Sequence, residues 1–181
     1  MKIATILLAA TLTPMFAQGI KMPANLDKLA AKAEETVDVT LDGSMLRLVG
    51  GFLNSKDKDV SKARNLVSGL QSITVKSFQF AREGQYDPAD VDAVRAQVQS
   101  APWSRIVGVH SKKDGDNVDV FFKDGGNGSL GGIVVIAADP KELTIVSIVG
   151  TLDPSQLADL GGQFGIPRLD MGLHITKKGD K

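Results

Sequence analysis

Residues 103–150 read WSRIVGVHSKKDGDNVDVFFKDGGNGSLGGIVVIAADPKELTIVSIVG, and this stretch decides the fold. Runs rich in β-branched and aromatic residues, Arg105–Ser111 and Val118–Lys123, flank a turn containing Asp114-Gly115. That pairing is a hairpin signal, because Asp-Gly fits the tight turn that joins two twisted strands. A second turn, Asp124-Gly125-Gly126-Asn127-Gly128, leads into Gly131–Ala138, and Asp139-Pro140 leads into Leu143–Gly150. Four closely spaced strands predict an antiparallel meander.

The last two strands carry a further message. Ile133-Val134-Val135-Ile136 and Ile145-Val146, then Ile148-Val149, do not alternate apolar with polar. Successive strand side chains point to opposite faces, so both faces of these strands must be apolar. Helices in an α+β domain commonly cover one face. Either helices of the same chain cover the other face as well, or that face, marked by Val135, Val146 and Ile148, is an interaction face for an unknown protein partner or for self-association.

Upstream, the pattern turns helical. Leu26, Leu29, Ala33 and Val37 recur at helical spacing among charged residues, although Val37–Asp42 alternates strictly and reads as a strand. Leu46, Val49, Phe52 and Leu53 suggest a second helix, and Val60, Ala63, Val67 and Leu70 a third. Ser72–Phe80 reads as a strand. Asp87-Pro88 opens another helix, with Asp90 where a capping-box acid belongs and Val91, Val94 and Val98 as its stripe. Asp153-Pro154 opens a last one carrying Leu157 and Leu160. The fold class is α+β: a mainly antiparallel sheet with a C-terminal four-strand meander, packed with amphipathic helices.

The 181 residues fit one domain, expected over residues 24–170, and a polar tail over residues 171–181. Before it comes the anatomy of a secretory signal peptide over residues 1–19. Lys2 is basic, Ile3–Leu12 is apolar, Pro14 breaks any helix, and Ala17 and Gly19 are small. The apolar run is too short to span a bilayer. Cleavage after Ala17 or Gly19 would leave an exported chain, periplasmic or secreted and soluble, with no membrane span. The chain has no cysteine, so disulfides, thiolate chemistry and lipidation at a lipobox are excluded. Lys+Arg and Asp+Glu both number 21, so net charge gives no reason to seek nucleic acid.

No catalytic, cofactor-binding or metal-ligating residue is assigned. His110 could form a catalytic pair with Asp119 across the hairpin; the plainer reading is a solvated histidine on a strand. His174 lies in the tail. Two isolated histidines without cysteine make a poor zinc site. Gly125–Gly132 lacks the lysine and following helix that a phosphate loop needs. Asp38 and Asp42 share a strand face, as a solvated face would also place them. Trp103, after Pro102, reads as a staple at a helix-to-strand junction. The expectation is a non-enzymatic binding or envelope-homeostasis protein. The alternatives are a small hydrolase using His110 with an acidic neighbour, and a structural homo-oligomer.

Five stretches together resemble an exported bacterial family, domain of unknown function 4252. They are AEETVDVTLDGSMLRL (33–48), SITVKSFQFAREGQYDPADVDAVRAQVQS (72–100), PWSRIVGVHSKKDGDNVDVFF (102–122), ELTIVSIVGTLD (142–153) and GQFGIPRLD (162–170). The resemblance spans residues 25–170. It implies an envelope or secreted location and transfers no catalytic residue. Some relatives look like lipoproteins, and this chain lacks the cysteine for that anchor.

Overall fold

The computed structural model describes residues 19–53, 58–113 and 115–154. The expected signal peptide up to residue 18, the helix carrying Leu157 and Leu160, and the tail with His174 lie outside these residues.

The four expected strands form as β3 (Trp103–His110), β4 (Asn117–Gly126), β5 (Ser129–Ala138) and β6 (Glu142–Leu152). Two more strands, β1 (Glu35–Asp42) and β2 (Leu70–Gln79), complete the sheet. The order is β1-β2-β6-β5-β4-β3, and every neighbouring pair is antiparallel. The antiparallel sheet therefore continues past β6 onto β2, and its edge strands are β3, joined to β4 by a hairpin, and β1, joined to β2 through α2 and α3.

Four helices accompany it: α1 (Ala24–Ala30), α2 (Gly43–Phe52), α3 (Lys58–Gly69) and α4 (Ala89–Val98). Asp42 caps α2, its Oδ1 accepting from the amides of Ser44 at 2.8 Å and Met45 at 2.9 Å. The capping box before α4 also forms. Asp87 Oδ1 accepts from the Ala89 amide at 2.9 Å, and Asp90 Oδ2 accepts from the Asp87 amide at 3.0 Å. One expectation needs correction. The helix read through Leu26, Leu29, Ala33 and Val37 stops at Ala30, and Val37 belongs to β1. Pairing of Val37, Val39 and Leu41 with β2 overrides the helical spacing, as packed β-branched side chains favour strand.

The two faces of the sheet differ. On one, α1 and α4 lie over Phe78, Leu143, Ile145, Val134, Ile136 and Phe121. Leu26 and Leu29 of α1 and Val91, Val94 and Val98 of α4 are fully buried there. Each such side chain contributes about 1.5–3 kcal/mol of transfer free energy. Lys76 ties α1 to the sheet, with Nζ at 3.0 Å from Asp27 and 2.9 Å from Asp38. Its pairing with Asp38, more than with Asp27, raises its pKa above the ordinary lysine value. Neither α2 nor α3 supplies a buried side chain to this core; they stand against β1, β2 and β6. Where α3 runs into β2, Gly69 and Gly150 face each other so closely that a Cβ on either would come 2.4 Å from a backbone oxygen.

Candidate functional site

The strand register assigns each sheet residue to a face. Turned away from α1 and α4 is a row of valines crossing all six strands: Val39, Val75, Val146, Val135, Val120 and Val107. Beside it runs Leu41, Ile73, Ile148, Ile133, Phe122 and Ser104, and on its other side Val37, Ser77, Thr144, Ala137, Val118 and Val109. No charged residue occurs in these three rows. The structure thus brings together Val135, Val146 and Ile148, the residues singled out from the sequence. All three are half-buried, as are Val75, Val118, Val120 and Phe122. Val37, Val39 and Val109 are exposed, Val39 to 38%. Nearby, α2 carries its own unburied stripe, Met45, Leu48, Val49 and Phe52, with Phe52 exposed to 87%.

This far face has an unexpected relation to the sequence pattern. On β4 the strict apolar set is Val118, Val120 and Phe122, and on β1 it is Val37, Val39 and Leu41. Alternation ordinarily turns the apolar set toward the core. Here both sets point away from α1 and α4, while Asn117, Asp119, Lys123, Thr36, Asp38 and Thr40 point toward the helix side.

The polar residues of β4 help to build a cleft of about 750 Å3 on that helix side, between α4, β3, β4 and the loops at Gly84–Pro88 and Asp139–Pro140. Trp103, Phe121, Val91 and Val98 form its apolar wall, and Arg95, Arg105, His110 and Asp119 its polar part. The side chain of Asp119 is only 6% exposed. Arg105 Nη2 lies 2.8 Å from its Oδ1, and Arg95 Nε lies 3.4 Å from its Oδ2. Arg105 reaches there by lying along β3 over Gly108. A Cβ at position 108 would sit 1.8 Å from Arg105 Nη2, so only glycine leaves room for the guanidinium.

His110 and Asp119 share this face, but Arg105 stands between them. Arg105 Nη2 is 2.7 Å from His110 Nε2, and His110 Nδ1 is 2.7 Å from Asn117 Oδ1. Arginine has only hydrogens to give, so Nε2 accepts and Nδ1 donates. Asn117 Nδ2 donates to the Gly115 carbonyl at 2.9 Å, which fixes the amide's orientation. The imidazole lone pair that a general base would use is therefore engaged by a cation. Asp38 and Asp42 are likewise used structurally, by Lys76 and by the α2 terminus. Trp103 is a buried core residue as well as a wall of the cleft, and Lys123 Nζ lies 5.9 Å from its ring centroid. Among the described residues no cluster of three or more metal-ligating side chains occurs, and no helix is long and apolar enough to cross a membrane.

Tyr86 closes the cleft beside α4. Its ring stacks on Phe80 with centroids 5.2 Å apart, and its hydroxyl donates to the Asp139 carbonyl. Burial, and then the Asp139 carboxylate, push its phenol up to about 12 from the ordinary 10.0. The folded state holds this proton more tightly than the unfolded chain. The associated stability is therefore complete below pH ~10 and is lost as pH rises through about 12. Tyr86 is the only tyrosine, so tyrosinate absorbance reports it alone. The expected midpoint is about 12 in the native protein and about 10 in denaturant. A native midpoint near the denatured one would contradict the burial of this hydroxyl.

Fold and site together define an antiparallel α+β domain with one helix-covered face holding a polar-lined cleft and one extended apolar face. The chain belongs to the family described as Domain of unknown function (DUF4252), which matches residues 30–160. That span contains every residue named in the cleft and in the three rows of the far face. Comparison with curated proteins and with solved structures finds no match.

Proposed function

We propose that this is an exported, non-enzymatic binding protein that works from its far sheet face, and that the face packs on that of a second copy. The observation that carries the reading is the outward-facing apolar set on β1 and β4, continuous across the sheet in three uncharged rows. Strands about 4.8 Å apart make the patch roughly 24 Å wide, and rows two residues apart make it roughly 14 Å deep between row centres. With side chains at its margins it reaches several hundred Å2, the size at which an exposed apolar patch on a monomer marks an interaction site. A two-fold axis through its middle would lay valine against valine. Two sheets packed this way stand about 10 Å apart, as in a β-sandwich. With no charge in the rows, two copies do not repel.

Light scattering at micromolar concentration tests this. The expected result is a dimer whose thermal midpoint rises with concentration. Val146→Lys, at the centre of the valine row, is expected to give a monomer. Val39→Lys, at the exposed edge, tolerates the charge in a folded monomer and is expected to weaken association without unfolding. A wild-type monomer with a concentration-independent midpoint overturns the proposal. Export is supported by the basic, apolar and small-residue order of residues 1–19. N-terminal sequencing of the exported chain is expected to begin near Gln18 or Ile20, and retention of Met1 would contradict it.

A further inference from the structure

The two edges of the sheet carry opposite charge. β1 ends the sheet on one side and β3 on the other, and among the described residues no strand lies beyond either. β1 keeps an unbroken register with β2, and it contains no bulge, proline or lysine. Its residues Glu35–Thr40 are all exposed. Such an edge presents unpaired amides and carbonyls on which a further strand can build. From Glu34 to Asp42 it carries four carboxylates, Glu34, Glu35, Asp38 and Asp42, and no base. Asp38 shares Lys76 within the chain, yet its side chain stays 54% exposed. From Trp103 to Lys113 the β3 edge carries Arg105, Lys112 and Lys113, and no acid. Acid against acid keeps β1 from pairing with another β1, and base against base does the same for β3. Only the mixed pairing attracts.

Direction and register fit that pairing. Six strands, each antiparallel to the next, leave β1 and β3 running in opposite directions. A second copy placed beyond β3 in the same orientation therefore lays its β1 antiparallel to it. The Phe80 amide donates to the Lys141 carbonyl and the Ser111 amide to the Asp116 carbonyl, both at 2.8 Å. Since amides turn to alternate sides along a strand, the registers leave those of Thr36, Asp38 and Thr40 on the open side of β1, and those of Gly108 and His110 on the open side of β3. With Asp38 of the second copy opposite Gly108, open-side groups meet open-side groups, and Thr36 comes opposite His110. Val39 then meets Val107 and Val37 meets Val109, so the uncharged rows of the far face run on into the next copy. Val37, Val39 and Val109, exposed in the single chain, acquire apolar partners. On the helix side Arg105 lies over Gly108, which brings its positive charge beside the Asp38 carboxylate. Lys112 and Lys113 fall level with Glu34 and Glu35.

We propose that copies of this chain join edge to edge, β1 of one on β3 of the next, into one continuous antiparallel sheet. The contact is heterologous and leaves one edge open at each end, so growth can continue. It does not rest on the face-to-face dimer, because a face-paired copy still presents both of its edges. A contact one strand long is smaller than a standard protein interface, so growth is expected toward millimolar concentration and at low salt.

Light scattering of the full exported chain, from micromolar to millimolar concentration at low salt, reads growth beyond two copies. The average mass is expected to keep rising without a plateau. Glu34→Lys with Glu35→Lys in one variant, and Lys112→Glu with Lys113→Glu in another, are each expected to weaken this association about tenfold, because exposed pairs turn from attraction to repulsion. These four side chains are exposed, so both variants are expected to keep the circular dichroism of the parent. All four substitutions in one chain leave the net charge unchanged and reverse both edges together, and they are expected to restore growth. A mass that stops at one or two copies up to millimolar concentration overturns the proposal. So does undiminished growth in either charge-reversed variant, or no recovery in the folded fourfold variant.

Discussion

Replacing Arg95 and Arg105 together by methionine is expected to lower stability by about 3 kcal/mol or more, and adding Asp119→Leu is expected to restore most of it. The asymmetry follows from burial. The Asp119 side chain is 6% exposed, whereas those of Arg95 and Arg105 are 21% and 45% exposed. An arginine that loses its partner can turn toward water. A carboxylate fixed on β4 between Gly108 of β3 and Ile136 of β5 cannot. Breaking a buried pair by removing one side typically costs about 3–5 kcal/mol, while replacing the whole set by apolar groups is often neutral. Single arginine replacements are expected to cost less, about 1 kcal/mol each, because the remaining arginine still neutralises the acid and both pairs are partly screened by solvent. Urea unfolding of the single, double and triple variants measures all of these. A double variant within about 1 kcal/mol of the parent would show that the guanidiniums do not hold the carboxylate in place.

This cluster was not legible in the sequence, for a physical reason. Arg95 lies on α4, Arg105 on one edge strand and Asp119 on the next strand, and no periodic pattern links them. The clue lay in β4, where Asn117, Asp119 and Lys123 form the polar half of an alternation that only Phe121 interrupts. Read alone, that half belongs to solvent. The structure instead turns it toward the helix-covered side, where Asp119 and Lys123 are buried. The far face was legible for the same reason the cleft was hidden. Strands β5 and β6 are apolar on both sides, and that demands cover on both sides whatever the helices do. The meander could be read from its turns, since Asp-Gly, the glycine-rich loop and Asp-Pro each end a run of strand-length residues. What periodicity could not supply was the sheet's extension through β2 to β1. Those pairings join residues far apart in sequence, and one of them recruited Val37 away from an otherwise regular helical spacing.

The two faces should also respond differently to truncation, and this contrast carries the second large effect. Phe78 is 1% exposed and pairs laterally with Leu143 and Thr36. It belongs to the core that also contains Leu26 and Leu29. Phe78→Ala is expected to cost about 3–5 kcal/mol, the transfer free energy of the ring plus the cavity it leaves. The cavity cannot collapse easily, because β2 is held on both sides by β1 and β6. That loss belongs to the fold of a single chain, so it should be the same at any protein concentration. Val146→Ala removes less, about 1 kcal/mol or below in an isolated chain, since Val146 is only half-buried there. If the far face is covered by a second copy, the cost of Val146→Ala grows once protein concentration exceeds the dissociation constant, because dimerisation then contributes to the measured stability. Urea unfolding of both variants over a hundredfold range of concentration separates the cases. Parallel, concentration-independent losses would mean that the far face belongs to the monomer. A loss that is flat for Phe78→Ala and concentration-dependent for Val146→Ala assigns one face to folding and the other to association.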